Sequence, residues 1–249
     1  MSDPCDFCGH RPVPVNAPLL LLAAHGERGG QGDNARLREI CRLVAAAAGS
    51  TGAVRCGVLS GLPSLEQAVR GEADRQVVVY PVFMSEGYFV REALPARLQA
   101  AGVKAAFLPA LGTDPAFAAA CADHLRVLDD GRPDRVLVAA HGSTKDDRSR
   151  RATEAFAADL AGHLGVPVSC AYLEEAPFVA EALTQLEPSD ALVSLFAGHG
   201  LHGADDMSRI VAARGFPPGR VITPAADMAM IARLAASAFA GWLARNEAP

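Results

Sequence analysis

Short, uninterrupted apolar runs recur along the chain and alternate with longer stretches of mixed character. The runs predict β-strands at 18–24, 54–59, 77–83, 105–108, 135–140, 168–173, 191–196 and 220–223. Apolar positions spaced three or four residues apart predict helices at 35–47, 64–70, 91–101, 151–164, 178–186 and 228–243. Strands that are apolar at every position are typical of a parallel sheet with helices on both faces.

The second half of the chain repeats the first. The apolar run that ends in His25-Gly26 returns as the run that ends in His141-Gly142, which lies 116 residues later (141 − 25). An apolar strand followed by a proline and a helical stretch then recurs at Pro63 and Pro177. The shared order indicates an internal duplication. With right-handed crossovers, it predicts an α/β fold of two tandem, doubly wound parallel-sheet domains.

Composition suggests where the repeats begin and end. Residues 1–16 contain prolines and little periodicity, so we expect an irregular N-terminal extension there. The polar, turn-rich stretch at 128–134 predicts a linker. We therefore expect a first repeat at 17–128 and a second at 133–249. Since the duplication resembles a fused dimer, we expect the chain to act as a monomer.

Length and charge narrow the classes of function. Half of the 249 residues are hydrophobic, which is enough for a substantial core. The net charge is −5, so no domain-wide basic field attracts nucleic acid. The longest apolar run, 18–24, is far shorter than the roughly 20 residues that span a bilayer, so we expect no membrane partner. Thinly spread cysteines and an N-terminus unlike an export signal predict a cytoplasmic protein with reduced thiols.

Candidate chemical groups lie at the carboxyl ends of the predicted strands, where parallel sheets bind ligands. His25 and His141 each follow the first strand of a repeat, Glu174 ends a later strand, and His199 and His202 follow the next one. Each has a structural alternative as a turn-ordering histidine, a helix-capping carboxylate or an ordinary turn residue. Taken together, imidazoles and a carboxylate suit a divalent first-row cation such as cobalt, iron, nickel or zinc.

This arrangement resembles the sirohydrochlorin chelatases of the class II chelatase superfamily, in their long two-domain form. The His-Gly-Ser turn at His141, the pair Leu173-Glu174 and the segment between Phe196 and His202 carry the resemblance, which covers about residues 17–245. It implies a lyase that inserts Co²⁺ or Fe²⁺ into a sirohydrochlorin-type tetrapyrrole, in cobalamin or sirohaem biosynthesis. The metal is then a substrate and no cofactor is tightly bound. The sequence contains no phosphate-binding loop of the Walker type, so we expect the reaction to proceed without ATP.

The resemblance can be carried over residue by residue. It implies that His141, Glu174 and His202 are the catalytic groups of the second repeat. Two of them, His141 and His202, are also implied as metal ligands. His199 is the alternative to His202, and His25 is the matching histidine of the first repeat.

The first repeat departs from this pattern. It has Ser60 at the position that matches Glu174, and Phe89 where a histidine is expected. The first repeat therefore keeps one of the three groups and the second keeps them all. We expect the working site in the second repeat, although the family pattern favours the first.

The implied substrate carries many carboxylates, so a protein of net negative charge needs a local cationic rim. Arginine suits this role because its planar guanidinium matches a carboxylate. The alternative is a solvated helix start beside Asp146 and Asp147. Candidate substrate-binding residues after the second His-Gly turn are Lys145, Arg148, Arg150 and Arg151, with Ser143 and Gly198 in the adjoining turns.

Two further alternatives stay open. The N-terminal Cys5-x-x-Cys8 with His10 either captures incoming metal or belongs to a disordered tail, since a closed zinc site needs four ligands. The altered first repeat and this cysteine pair also fit a non-catalytic carrier of metal or tetrapyrrole that has kept the chelatase fold. A steady-state metallation assay separates the carrier from the enzyme.

Overall fold

The computed structural model describes residues 17–27, 33–47, 54–129, 131–144, 147–196 and 203–246. The predicted N-terminal extension at 1–16, with Cys5, Cys8 and His10, lies outside the described residues. None of the described helices is both long enough and apolar enough to cross a bilayer.

Two parallel sheets of four strands each form the frame of the protein. The first has the strand order β2-β1-β3-β4 and the second the order β6-β5-β7-β8, so the repeats share one topology. This arrangement confirms the predicted α/β fold of two tandem parallel-sheet domains. The strands are β1 (Leu19–Ala24), β2 (Val54–Val58), β3 (Val77–Pro81), β4 (Ala105–Phe107), β5 (Val136–Ala140), β6 (Val168–Tyr172), β7 (Ala191–Ser194) and β8 (Val221–Ile222).

Helices flank both sheets, and a π-helical turn at Phe89–Ala93 leads into the third of them. The sequence prediction missed α4, although its buried residues Phe117, Cys121 and Leu125 are spaced four residues apart, and it also missed α7. The helices are α1 (Ala35–Ala47), α2 (Leu65–Ala68), α3 (Leu94–Ala100), α4 (Phe117–Arg126), α5 (Arg148–Leu164), α6 (Val179–Ala182), α7 (Gly203–Arg214) and α8 (Met228–Asn246).

Alternate residues of each strand enter different cores. In β1, Leu20 and Leu22 belong to a large core that also contains Val136 and Val138 of β5. Helices α1, α4, α5 and α8 contribute to the same core, so they lie between the two sheets. Leu19 and Leu21 instead pack against α2 and α3, and a third core lies between the second sheet and the helices α6 and α7.

The last helix of each repeat packs against the first helix of the other. Helix α4 lies on α5, where the rings of Phe117 and Phe156 are 5.2 Å apart, and α8 lies on α1. Because of this exchange, each repeat completes its core with residues of its partner. The carboxyl end of β5 also borders residues of the first repeat, among them Met84 and Gly112.

Candidate functional site

A sharp His-Gly turn follows the first strand of each repeat. The glycines, Gly26 and Gly142, have φ values of +106° and +75°, which side chains rarely adopt. A Cβ on Gly26 would lie 1.9 Å from the Ser60 carbonyl oxygen, and one on Gly142 would lie 2.9 Å from the Tyr172 Cβ. Glycine is therefore required at both positions, because each turn presses against the segment that leaves the neighbouring strand.

The structure brings His141 and Glu174 together at the carboxyl ends of β5 and β6. The Glu174 N–H donates to the His141 carbonyl oxygen at 3.1 Å, and His141 Nδ1 lies 3.6 Å from Glu174 Oε1. This separation is too long for a direct hydrogen bond. Both side chains are about half exposed, at 51% and 50%. They are therefore close enough to act on one ligand and remain accessible to it.

An ion pair ties the His141 turn to the loop that carries Glu174. Glu175 Oε1 accepts the Ser143 N–H at 3.1 Å, and Glu175 Oε2 accepts Arg150 Nε at 3.0 Å. Arg150 also donates to the Ala176 carbonyl oxygen at 2.7 Å. The Arg150 guanidinium, with help from the Ser143 N–H, holds the pKa of Glu175 below its usual range. The two loops are thus fixed relative to each other.

An aromatic ring lies beneath the Arg150 guanidinium of this ion pair. The Arg150 guanidinium carbon lies 4.8 Å from the centroid of the buried Tyr172 ring, which is a cation–π contact. The contact limits the guanidinium to one orientation. It therefore adds to the rigidity of the loops that hold His141 and Glu174.

The first repeat fixes its equivalent turn with one neutral side chain. Asn34 precedes Arg150 by 116 residues (150 − 34), the offset that separates the two His-Gly pairs. Its Oδ1 accepts the Glu27 N–H and its Nδ2 donates to the Leu62 carbonyl oxygen, both at 2.8 Å. Among the described residues, the first repeat thus connects its two loops through an amide side chain and the second through an ion pair.

A cavity of about 140 Å³ lies between the repeats, and His141 is part of its wall. It is smaller than the roughly 300 Å³ at which pockets for small organic ligands begin. A hydrated metal ion is small enough for this volume. The wall includes Met84, Ser85 and Gly112 of the first repeat and His141, Ala152 and Leu195 of the second.

The matching histidine of the first repeat lies among aromatic side chains. The Phe89 ring meets His25 edge-on at 4.7 Å, so Phe89 lies beside the histidine as a third ligand would. Phe83 and Tyr88 contact Phe89 at centroid distances of 6.3 Å and 5.6 Å. Ser60 keeps the backbone contact made by Glu174, because its N–H donates to the His25 carbonyl oxygen at 2.8 Å. It has no carboxylate to offer beside the imidazole.

The structure describes only some of the remaining predicted site residues. Arg148 and Arg151 begin α5 on its exposed side, and Arg151 pairs with Asp147 at 2.6 Å, as expected of a solvated helix start. Among the residues that the structure describes, no group of three or more His, Cys, Asp or Glu side chains could hold a metal ion. Four predicted residues lie outside the described ranges: Lys145, Gly198, His199 and His202.

Sequence reasoning missed the connection between Arg150 and Glu175. It grouped Arg150 with the cations of the rim, whereas the structure directs this side chain to Glu175. The available signal was the pair of adjacent acids after β6, Glu174 and Glu175, of which the first faces His141 and the second braces its turn.

The chain was compared with models of protein families and with curated protein sequences, and a family model matches it. The sequence model of the CbiX family matches residues 19–127 and 135–232, which is one match in each repeat. No curated protein sequence matches the chain.

Several solved structures share the fold. The CbiX described as the terminal enzyme for biosynthesis of siroheme in denitrifying bacteria is 32% identical, with a TM-score of 0.70, and the match covers 88% of this chain and 99% of that one. SirB from Bacillus subtilis with Fe³⁺ is 16% identical, with a TM-score of 0.71 and coverages of 92% and 97%. The sirohydrochlorin chelatase SirB from Bacillus subtilis subspecies spizizenii, in complex with cobalt, is 15% identical, with a TM-score of 0.65 and the same coverages. At these identities, the likeness to the SirB proteins concerns the fold alone.

Proposed function

The chain belongs to the CbiX family of sirohydrochlorin chelatases, and we propose that it inserts Co²⁺ or Fe²⁺ into a sirohydrochlorin-type tetrapyrrole without ATP. The pathway that we propose is sirohaem or cobalamin biosynthesis in the cytoplasm. The observation that carries the proposal is the pair of His141 and Glu174, 3.6 Å apart beside the cavity between the repeats. We place the working site in the second repeat because its described residues keep both groups.

The proposed reaction exchanges protons for a metal ion. The macrocycle loses its inner N–H protons while the ion loses water. A neutral imidazole can bind the ion through one ring nitrogen, and a carboxylate can accept a proton from the ring. We assign the first role to His141 and the second to Glu174. His202, or His199 in its place, is the further ligand that we propose.

The contacts that Ser143 and Arg150 make with Glu175 contribute to catalysis by holding the His141 turn in position. Catalytic groups that are held in place before the substrate arrives require no reorganisation during the reaction. The Ser143 N–H and the Arg150 guanidinium both bind Glu175, so the His141 turn cannot shift without breaking a charge-assisted contact. We therefore treat Arg150 and Glu175 as positioning residues.

Substrate recognition is proposed at the opening of the cavity. The candidates for binding the carboxylates of the ring are Lys145, Arg148 and Arg151. Arg148 and Arg151 are exposed at the start of α5, where Arg151 also pairs with Asp147. Nitrogen and oxygen ligands serve cobalt and iron alike, so the choice between the two metals follows their supply. The core shared by the repeats suits a chain that acts as a monomer.

A steady-state metallation assay tests the proposal. Purified protein is mixed with sirohydrochlorin and Co²⁺, and the absorbance change is compared with the uncatalysed rate. We expect acceleration by the wild type and a loss of at least about tenfold in His141→Ala, because the ion loses its imidazole ligand, and even the outer-shell partners of metal ligands commonly contribute about 10–100-fold. The matched control His25→Ala is expected to lose less. Binding of the ring without acceleration would support a carrier instead.

A further inference from the structure

The two repeats differ at one position that borders the cavity. Ala152 of α5 is part of the cavity wall, and Arg36 of α1 occupies the same place in the first repeat, 116 residues earlier (152 − 36). The register is reliable because buried positions on the two helices also coincide, as Ile40 does with Phe156. A small, uncharged side chain in the second repeat thus corresponds to a long cationic one in the first.

Arg36 is partly buried between the repeats. Its Nη2 is shielded from solvent and has no hydrogen-bond partner among the described residues. The acidic groups that act on the guanidinium are Glu27 and Asp227. Glu27 belongs to the His25 turn, and Asp227 belongs to the second repeat, where its Oδ1 accepts the Met230 N–H at the start of α8. The guanidinium is therefore within electrostatic reach of the His25 turn and of the opposite repeat.

That location is the first-repeat counterpart of the cavity. In the second repeat, the cavity lies between the His141 turn and Gly112 of the opposite repeat, which closely precedes Asp114. Asp114 and Asp227 match, because each directly follows a 3₁₀ turn and its Oδ1 accepts a backbone N–H shortly after it, from Ala116 and from Met230 respectively. The same elements surround both places, but Arg36 is added in the first.

We propose that Arg36 keeps divalent metal ions away from His25, so that the duplicated fold has a single metal site, in the second repeat. Guanidinium keeps its proton at any physiological pH, and like charges repel strongly in a poorly solvated region. Glu27 and Asp227 attract the guanidinium of Arg36 and so favour this position of the side chain. This inference rests on the proposed function, since it assumes that the second repeat binds the metal.

The test rebuilds the missing ligands in the first repeat. Ser60→Glu places a carboxylate on the backbone that contacts His25, as Glu174 is placed beside His141. Phe89→His replaces the ring that lies 4.7 Å from His25. This double variant is made with Arg36 retained and with Arg36→Met, which keeps the length of the side chain but removes its charge. Calorimetric titration with Co²⁺ alone gives the number of ions bound per chain.

We expect the double variant with Arg36 to bind as many ions as the wild type, and the variant with Arg36→Met to bind one more. An additional ion with Arg36 retained, or none with Arg36→Met, would overturn the proposal. If the rebuilt variants do not fold, the reciprocal change decides: Ala152→Arg should weaken Co²⁺ binding at least tenfold and Ala152→Met should not, and equal effects would also overturn it. Co²⁺ binding by the wild type that His141→Ala does not reduce would count against the proposed function instead.

Discussion

The Glu175 carboxylate accepts hydrogen bonds from the Arg150 guanidinium and the Ser143 N–H, and these donors hold its pKa below the usual range. A group whose pKa is lower in the folded chain than in the unfolded chain stabilises the fold when it is ionised. The stabilisation is complete above the unfolded value of about 4.3 and is lost as the pH falls through the folded value. The contacts of Glu175 that hold the His141 turn should therefore weaken in acid.

Glu175→Gln tests this pH dependence. We expect the free energy of unfolding of the wild type to exceed that of the variant most clearly above about pH 5, where the wild-type carboxylate is ionised. The difference should shrink steadily as the pH is lowered toward 3. Urea unfolding of both proteins across this range measures it. A difference that stays constant with pH would show that the charge of Glu175 does not support the fold.

Arg150→Met tests whether the contacts of Glu175 position His141. The variant keeps most of the packing against Tyr172 but leaves Glu175 without its cation. We expect kcat to fall about tenfold, since misplaced acid–base groups lose part of their 10²–10⁴ contribution, with a smaller change in KM. Asn34→Ala is the matched control, because it loosens the same turn in the first repeat. It should lower stability by about 1–3 kcal/mol and leave kcat close to that of the wild type. Equal losses of kcat would contradict the assignment.

The turn after β5 tolerates little change. Gly142→Ala adds a Cβ at a φ of +75° and only 2.9 Å from the Tyr172 Cβ. We expect a loss of about 1–3 kcal/mol in stability from backbone strain and at least a tenfold loss of metallation rate, because His141 moves with the turn. Thermal unfolding and the metallation assay measure the two effects.

Gly102→Ala separates strain from displacement of the site. Gly102 has nearly the same φ, +76°, and its Cβ would meet nothing within 4 Å. This variant should lose comparable stability and keep its activity. If Gly142→Ala were as active as Gly102→Ala, the turn would not determine the position of His141.

The strands and their parallel arrangement were predictable from the sequence, whereas the exchange of helices was not. Apolar runs define β1 and β5 because all positions of β5, and all positions of β1 except the last, are buried. The strand-end rule then brought His141 and Glu174 to neighbouring positions. The packing of α4 on α5 depends on contacts between distant segments, which no local pattern records. The pairing of Arg150 with Glu175 likewise depends on a turn geometry that charge alone does not reveal.

At the scale of the whole molecule, the repeats share a core and should unfold together. Phe117 belongs to the first repeat, but its fully buried ring packs on Phe156 of the second. We expect Phe117→Ala to lower the free energy of unfolding by about 3–5 kcal/mol while leaving a single cooperative transition. Calorimetry measures both quantities. Two separate transitions, with only one shifted by the substitution, would show that the repeats are independent.

The central claim is that the second repeat holds the metal, and a crystal soaked in Co²⁺ tests it most directly. Anomalous scattering at the cobalt edge locates the ion without any assumption about activity. We predict a peak within about 2–2.5 Å of a His141 ring nitrogen, in the range of metal–histidine bonds. The same map should show no ion on His25. A cobalt ion bound to His25, with none on His141, would contradict the account.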